Sequence, residues 1–388
     1  MSNTVVSTGA TCDLSLRVIN LFILNKLFLL DDSQAPGVVE IAERLVGLHA
    51  KRPQTPYLAV NVRNAELNPS RLDEVLYMDR TLLRAHCMRG TVHMLPLSQY
   101  KTVLAATSGQ LDGMYRRAFE RSSHKEAIEM RVLELVRRNG PLSHEEIADD
   151  LKIEAQEREL YLIINELCTR GILVKATVKG SWRSSIYNYE LLDRWQPVIR
   201  QGETDALKSR SRLIEWYLES YGPSTLADIA WWSGLSKAQV KKAIAAITRP
   251  LSCIHFTAVG ADAFILDEDM EALRKWRPPK RPQINLLPGF DPYVMAYIDR
   301  GRYIHPDHYG KVFKGVSGII EPVVLVDGQI VGRWKYSLMR GKLASEIFGP
   351  IDSPQVSREI ENAAKRMAEV LVRADAEYEH SGLARATG

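Results

Sequence analysis

The stretch "MRVLELVRRNGPLSHEEIADDLKIEAQERELYLIINELCTRGILVKATVKGSWRSSIYNYELL", residues 130–192, decides the fold. A helical pattern ends at Asn139-Gly140, and a turn follows. Ser143 with Glu146 three residues on spells a capping box, in which a hydroxyl and a carboxylate satisfy orphan N–H groups at a helix start. The next pattern puts Leu160, Ile163, Ile164 and Leu167 on one helical face. Two alternating runs then flank Lys179-Gly180-Ser181, which signals a hairpin. Helix, turn, helix, helix and β-ribbon make a winged helix.

The same grammar returns in "SRLIEWYLESYGPSTLADIAWWSGLSKAQVKKAIAAI", residues 211–247, followed by the strand candidates "LSCIHFTAV" and "DAFILDED". Tyr221-Gly222-Pro223-Ser224 repeats the turn at Asn139-Gly140-Pro141-Leu142, and Ser236 with Gln239 is again a capping box. The two Gly-Pro turns lie about 82 residues apart, a spacing suited to tandem domains. Towards the N-terminus, helical patterns cover residues 14–30 and 37–49, a third lies near 70–85, and "MRGTVHMLP" reads as a strand. This region is expected to be a third, divergent winged helix. Pro278, Pro279 and Pro282 mark a linker, after which Asp327-Gly328 sits between alternating runs as a hairpin turn. An amphipathic helix over about 355–377 follows.

The expected class is therefore α+β. The divisions are a flexible N-terminus over 1–13 and winged helices over 14–122, 123–203 and 204–277. A small β-barrel with its terminal helix occupies 278–388. At 388 residues the chain is too long for one ordinary core, and 45% apolar with 25% charged residues is an ordinary composition for a folded protein. Cys12, Cys87, Cys168 and Cys253 stand singly without a CxxC pair, which argues against a zinc site or a disulfide scaffold. The N-terminus lacks the basic start of a secretory signal. The run "VINLFILNKLFLL" is broken by Asn20, Asn25 and Lys26 and is too short to span a bilayer. A cytoplasmic location is expected.

A net charge of +4 permits a nucleic-acid partner without requiring one, but residues 274–342 hold 13 Lys/Arg against 5 Asp/Glu. A winged helix reads duplex DNA or serves as a protein–protein module, and a tandem array can cradle a duplex through phosphate contacts, which supply affinity without sequence information. The candidates are Arg89, Lys179, Arg183, Lys237, Lys241, Arg300, Arg302 and Arg333. The alternative is that such lysines form a solvated helix face. In "LVGLHAKRPQTPYLAV", residues 45–60, Pro53 biases Arg52 out of the α region, so a helix frays near residues 48–52. If extended there, His49 and Lys51 project together and Ala50 points back. The plainer reading is a helix C-terminus whose cations favour its dipole.

Five motifs change the balance. "LVGLHAKRPQTPYLAV", "MRGTVHMLP", "YGPSTLADIAWWSGLS", "INLLPGFDPYVMAYIDR" and "VVLVDGQIVGRWK" occur in the order found in the AlkZ/YcaQ-type winged-helix DNA glycosylases, and the chain resembles that family over about residues 14–340. The resemblance implies three winged helices and a β-barrel around a C-shaped DNA channel. It also implies removal of bulky N-alkylated purines, in some members linked to crosslink repair or antibiotic self-resistance. His49-Ala50-Lys51 occupies the place of the family's Gln-Φ-Gln motif, whose variants are Gln-Φ-Asp and His-Φ-Gln. His49 matches a variant, and Lys51 departs from all three. The resemblance makes His49 and Lys51 the catalytic candidates and Arg52 a neighbouring DNA contact. It implies no metal, no cofactor, and a monomer. A non-catalytic damage binder or regulator is the competing expectation.

Overall fold

The computed structural model describes residues 6–30, 37–120, 122, 124–154, 158–199, 205–315, 318–337 and 342–380. The first unit comprises β1 (Val6–Cys12), α1 (Leu16–Lys26), α2 (Val38–Arg44), β2 (Leu48–His49), α3 (Gln54–Asn61), α4 (Pro69–Asp73), β3 (Leu82–His86), β4 (Val92–Pro96), α5 (Leu97–Thr107) and α6 (Asp112–Phe119). The second comprises α7 (Lys125–Asn139), β5 (Leu142–Ser143), α8 (His144–Leu151), α9 (Arg158–Thr169), β6 (Leu173–Val178), β7 (Tyr187–Leu191) and α10 (Leu192–Trp195). The third comprises α11 (Ala206–Tyr221), α12 (Leu226–Ser233), α13 (Lys237–Ala245), β8 (Leu251–Phe256), β9 (Ala261–Leu266) and α14 (Asp267–Lys275). The C-terminal region comprises β10 (Ile284–Leu287), α15 (Tyr309–Val312), β11 (Phe313–Lys314), β12 (Ile319–Ile320), β13 (Val323–Val326), β14 (Gln329–Ser337), β15 (Lys342–Ile347) and α16 (Pro354–His380).

Local chemistry explains the helix starts. Ser143 and Ser236 cap α8 and α13 in complete capping boxes with Glu146 and Gln239, and Thr225 does the same for α12 with Asp228. The first two units share one sheet order. A two-residue strand pairs with the second hairpin strand, giving β2-β4-β3 and β5-β7-β6. His49 and Ser143 thus hold the same place, the last residue of the short strand. In the third unit a single Ser224–Phe264 bridge stands at that place.

Two expectations about the sheets need correction. The C-terminal strands do not close into a barrel among the described residues: β10-β13-β14-β15 is an open antiparallel sheet, and β11-β12 is a separate ribbon. Four strands are too few to wrap around a core, and α16 packs on β10 and β15 instead. Residues 6–12, expected within a flexible leader, pair in parallel with β8 as a third strand.

One apolar core runs through the first unit, the third unit and the C-terminal region. The second unit has its own core of α7, α8, α9 and β6–β7 residues. Its hairpin tip crosses to the main body. Trp182 is fully buried, meets the Tyr57 ring at 5.7 Å, and donates its indole N–H to Asp375 Oδ1 at 3.1 Å. Arg183 grips the same carboxylate at 2.9 and 3.1 Å. Among the described residues no helix is long and apolar enough to cross a membrane.

Arg63 and Asp291 form a bidentate pair at 2.8 and 2.9 Å with both side chains fully buried. Breaking such a pair from one side strands a buried charge. Asp291→Ala is expected to cost about 3–5 kcal/mol in urea unfolding. Arg71→Ala, which breaks an exposed pair with Glu74, is expected to leave the urea midpoint in place.

Candidate active site

The helix expected to run to residue 49 stops at Arg44. Val46 (φ 55°) and Gly47 (φ 92°) turn the chain back through the left-handed region. Position 47 requires glycine, because a Cβ there would meet Leu95 Cδ2 at 2.6 Å. The chain then enters the sheet, with Leu48 opposite Met94 and His49 opposite His93, and the Ala50 N–H donates to Val92 at 2.8 Å. The stretch is thus a short strand running into a turn, not a frayed helix end. His49 and Lys51 line one cleft. Ala50 faces away, toward Tyr57, Arg84 and Met94.

Two rings fix His49. It stacks on Phe290 at 5.2 Å with a 5° interplanar angle, and meets His93 edge-on at 5.0 Å. Phe290 is held at φ 65°, unusual for an aromatic residue. His93 Nδ1 lies 3.1 Å from the Thr91 carbonyl, which only accepts, so that nitrogen carries the proton. The Lys51 N–H donates to His49 Nδ1 over a long 3.4 Å. That assigns the His49 proton to Nε2, which is buried without a hydrogen-bond partner among the described residues. Burial, then the nearby His93, Arg89 and Lys51, push the His49 imidazolium well below its ordinary value. His49 is therefore neutral at physiological pH.

The cleft measures about 360 Å³ and is lined by His49, Lys51, Arg89, Trp231, Phe290 and Lys314 among others, with no carboxylate on its wall among the described residues. Lys51 is exposed, with Nζ 5.2 Å from the Phe290 ring centre. Arg52 lies 5.7 Å from the same ring. Arg89 and Arg300 both rest against Trp231, at 4.0 and 4.6 Å. Sequence reasoning did not single out Phe290, Trp231 or His93 as a group. Only the fold brings them together.

The remaining phosphate-contact candidates divide. Lys237 and Lys241 stand exposed on α13. Lys179 is held by Glu146 at 2.8 Å, Arg183 by Asp375, and Arg333 by Glu346 at 2.7 Å. Arg302 corrects the expectation outright: it is 3% exposed, its guanidinium lies 3.7 Å from the Tyr297 ring centre, and it donates to the Pro223 carbonyl. A buried, stacked guanidinium does not reach a phosphate.

The described family "DNA glycosylase AlkZ-like" matches residues 42–370. An "Interstrand DNA cross-link repair glycosylase" of Streptomyces sahachiroi is 25% identical over 322 residues, covering 79% of this chain and 84% of that protein. The solved structure of Streptomyces sahachiroi DNA glycosylase AlkZ superposes with a TM-score of 0.74 at 22% identity, over 92% of this chain and 98% of that one, which shows a shared fold.

The buried histidines have a measurable consequence. Burial pulls His93 down to about 4 and His86 to about 3. Their unfolded value is about 6.5, so the unfolded chain takes up protons first. Their stabilisation is complete above pH 6.5 and is lost as pH falls toward 4. Asp73, raised to about 6 mainly by burial, acts oppositely below pH 6. The difference between wild type and His93→Gln isolates the histidine. In urea unfolding between pH 7 and 4.5, the variant is expected to lose less stability, by up to about 1.4 kcal/mol per pH unit. Parallel curves would contradict a buried neutral His93.

Proposed function

The chain belongs to the AlkZ-like DNA glycosylase family, and from that membership we propose that it hydrolyses the N-glycosidic bond of bulky N-alkylated purines in duplex DNA. The observation that carries this reading is the His49–Lys51 turn on a cation-lined, carboxylate-free cleft. We read the three helical units as winged helices around a channel for the duplex, in a monomeric cytoplasmic protein. Crosslink repair or self-resistance to a DNA-alkylating natural product fits this chemistry.

Alkylation at N7 or N3 makes the purine a cation that leaves neutral. The leaving group then needs no strong acid, and the reaction needs no metal or redox cofactor. The remaining task is to set a water against C1′ of an oxocarbenium-like transition state, which is positioning and electrostatics. His49 is too weakly basic to remove a proton from water in the ground state. Its role is to orient the water or sugar by hydrogen bonding from its buried polar edge. Neutrality is an advantage here, since it adds no charge beside the forming cation.

Lys51 is the chemical problem. An ammonium about 4 Å from a sugar cation would repel it by about 4 kcal/mol at an effective dielectric near 20, slowing the step roughly a thousandfold. Lys51 shares the cleft with His49, its Nζ 5.2 Å from the Phe290 ring centre, so its charge has to be taken up by an anion for the step to proceed. Lys51 and Arg52 are assigned to the sugar–phosphate backbone. Arg89, Arg300, Lys237 and Lys241 extend that contact. Lys179, Arg183 and Arg333, already held by carboxylates, contribute less.

The test is a duplex carrying one N7-alkylguanine, incubated with wild type, His49→Ala and Lys51→Ala, with and without borohydride. Wild type is expected to release the base. His49→Ala should be slower by roughly a hundredfold or more, Lys51→Ala should mainly weaken binding, and no adduct should be trapped. A trapped adduct that needs Lys51 would move the nucleophile to the lysine. Salt-dependent binding without base release from any adduct would leave a damage binder.

A further inference from the structure

Arg89 and Arg300 are brought together by segments far apart in the chain, with no carboxylate paired to either among the described residues. Arg89 sits at the tip of the β3–β4 hairpin in the left-handed conformation (φ 55°, ψ 21°). Such strain persists only where the surroundings enforce it. Gln110 supplies the brace: its Oε1 accepts the Arg89 N–H at 3.1 Å and its Nε2 donates to the Ser233 carbonyl at the end of α12 at 2.8 Å. The Arg89 guanidinium is left against the Trp231 indole with no hydrogen bond of its own among the described residues. Arg300 is anchored through Nη1 to the Val294 carbonyl and the Tyr303 hydroxyl, leaving its Nε and Nη2 unpartnered among the described residues. Phe313 and Trp231 flank it at 4.8 and 4.6 Å.

We propose that Arg89 and Arg300, seated on Trp231, form a binding site for one backbone phosphodiester of the strand that carries the altered purine, and that this anchor sets the sugar against His49. The proposal rests on the glycosylase reading above. Two guanidiniums on an aromatic platform match the paired oxygens of a phosphodiester. Among the described residues the cleft wall offers no acid that would compete for them. The unbound site is electrostatically unsatisfied. Burial first, then the neighbouring Arg300 charge, bring Arg89 down to about 10. An anion between the two relieves that repulsion.

The same anion serves the reaction. Arg89 lies close enough to help keep His49 neutral. Uncompensated, its charge would also oppose an oxocarbenium ion forming beside His49. A bound phosphodiester offsets it. Arg89, Arg300 and Trp231 are positioning residues on this account, acting through the DNA they hold.

The test is a methylphosphonate scan. Each phosphate near an N7-methylguanine is replaced singly by a neutral methylphosphonate. Turnover is measured on the ordinary lesion, and binding on its slowly cleaved 2′-fluoro form. Wild type, Arg89→Gln, Arg300→Gln and Trp231→Phe are compared. One position is expected to lower wild-type kcat/KM and affinity by roughly tenfold to a hundredfold. Arg89→Gln and Arg300→Gln should each cost a similar factor on the natural duplex and lose sensitivity to that position alone, while keeping it elsewhere. Trp231→Phe, which keeps an aromatic platform, should retain that sensitivity. If methylphosphonate and arginine losses simply multiply at every position, the anchor is wrong even where the base is released. If coupling appears in binding but no duplex loses its base, the anchor stands and the glycosylase reading falls.

Discussion

The buried Arg63–Asp291 pair joins residues 228 positions apart, and the site is built around it. Arg63 lies just beyond α3 and also donates to the Leu27 and Ala59 carbonyls at 3.0 and 2.8 Å. Asp291 also accepts the Tyr293 N–H at 2.9 Å. At the other end of α3, the Thr55 hydroxyl donates to the Gly289 carbonyl at 2.7 Å. The segment 289–291 is therefore clamped at both ends to one short helix. Phe290, caught between, takes a left-handed backbone and lays its ring on His49. Desolvating two charges is a poor way to gain stability. Here it fixes where one ring sits relative to another.

A second constraint is how charge is distributed. In the second unit Lys179 meets Glu146, Lys125 meets Glu166, Arg170 meets Glu129, and Arg183 meets Asp375. Its hairpin tip is spent holding α3 and α16 through Trp182. Lys51 and Arg89 on the cleft wall have no such partner among the described residues, and Lys237 and Lys241 on α13 stand exposed. A net charge of +4 hides this difference. Interaction with a polyanion depends on which cations remain unneutralised and where they converge.

This difference also explains what the sequence could and could not disclose. Ser143 with Glu146 and Ser236 with Gln239 are legible because a capping box is a contact between residues three apart. Asp327-Gly328 is legible for the same reason, and both residues take positive φ where β13 turns into β14. The end of α2 is not legible, because Val46 disfavours the left-handed turn it adopts and only the packing of β2 beside β4 enforces it. Arg302 reads like any basic residue in a basic region. Its burial follows from Tyr297 and Pro223, which no local pattern connects to it. The His-Ala-Lys turn was visible through family resemblance, whereas the neutrality of His49 needed its burial and the nearby His93 and Arg89 in place.

If the substrate is a cationic purine, as proposed, the amount of positive charge around the cleft needs an explanation. A carboxylate in the cleft would stabilise the oxocarbenium ion but would also repel the DNA backbone. Guanidiniums and lysines attract the backbone but oppose the cation at C1′. On the proposed reading, a neutral histidine beside arginines that hold phosphate would reconcile the two demands, because DNA itself would supply the compensating anions. On the proposed reading, the empty cleft is electrostatically hostile to the transition state and becomes permissive only with a strand in place. Affinity for the backbone and competence for bond cleavage would then share the same few side chains, and neither would be tunable alone.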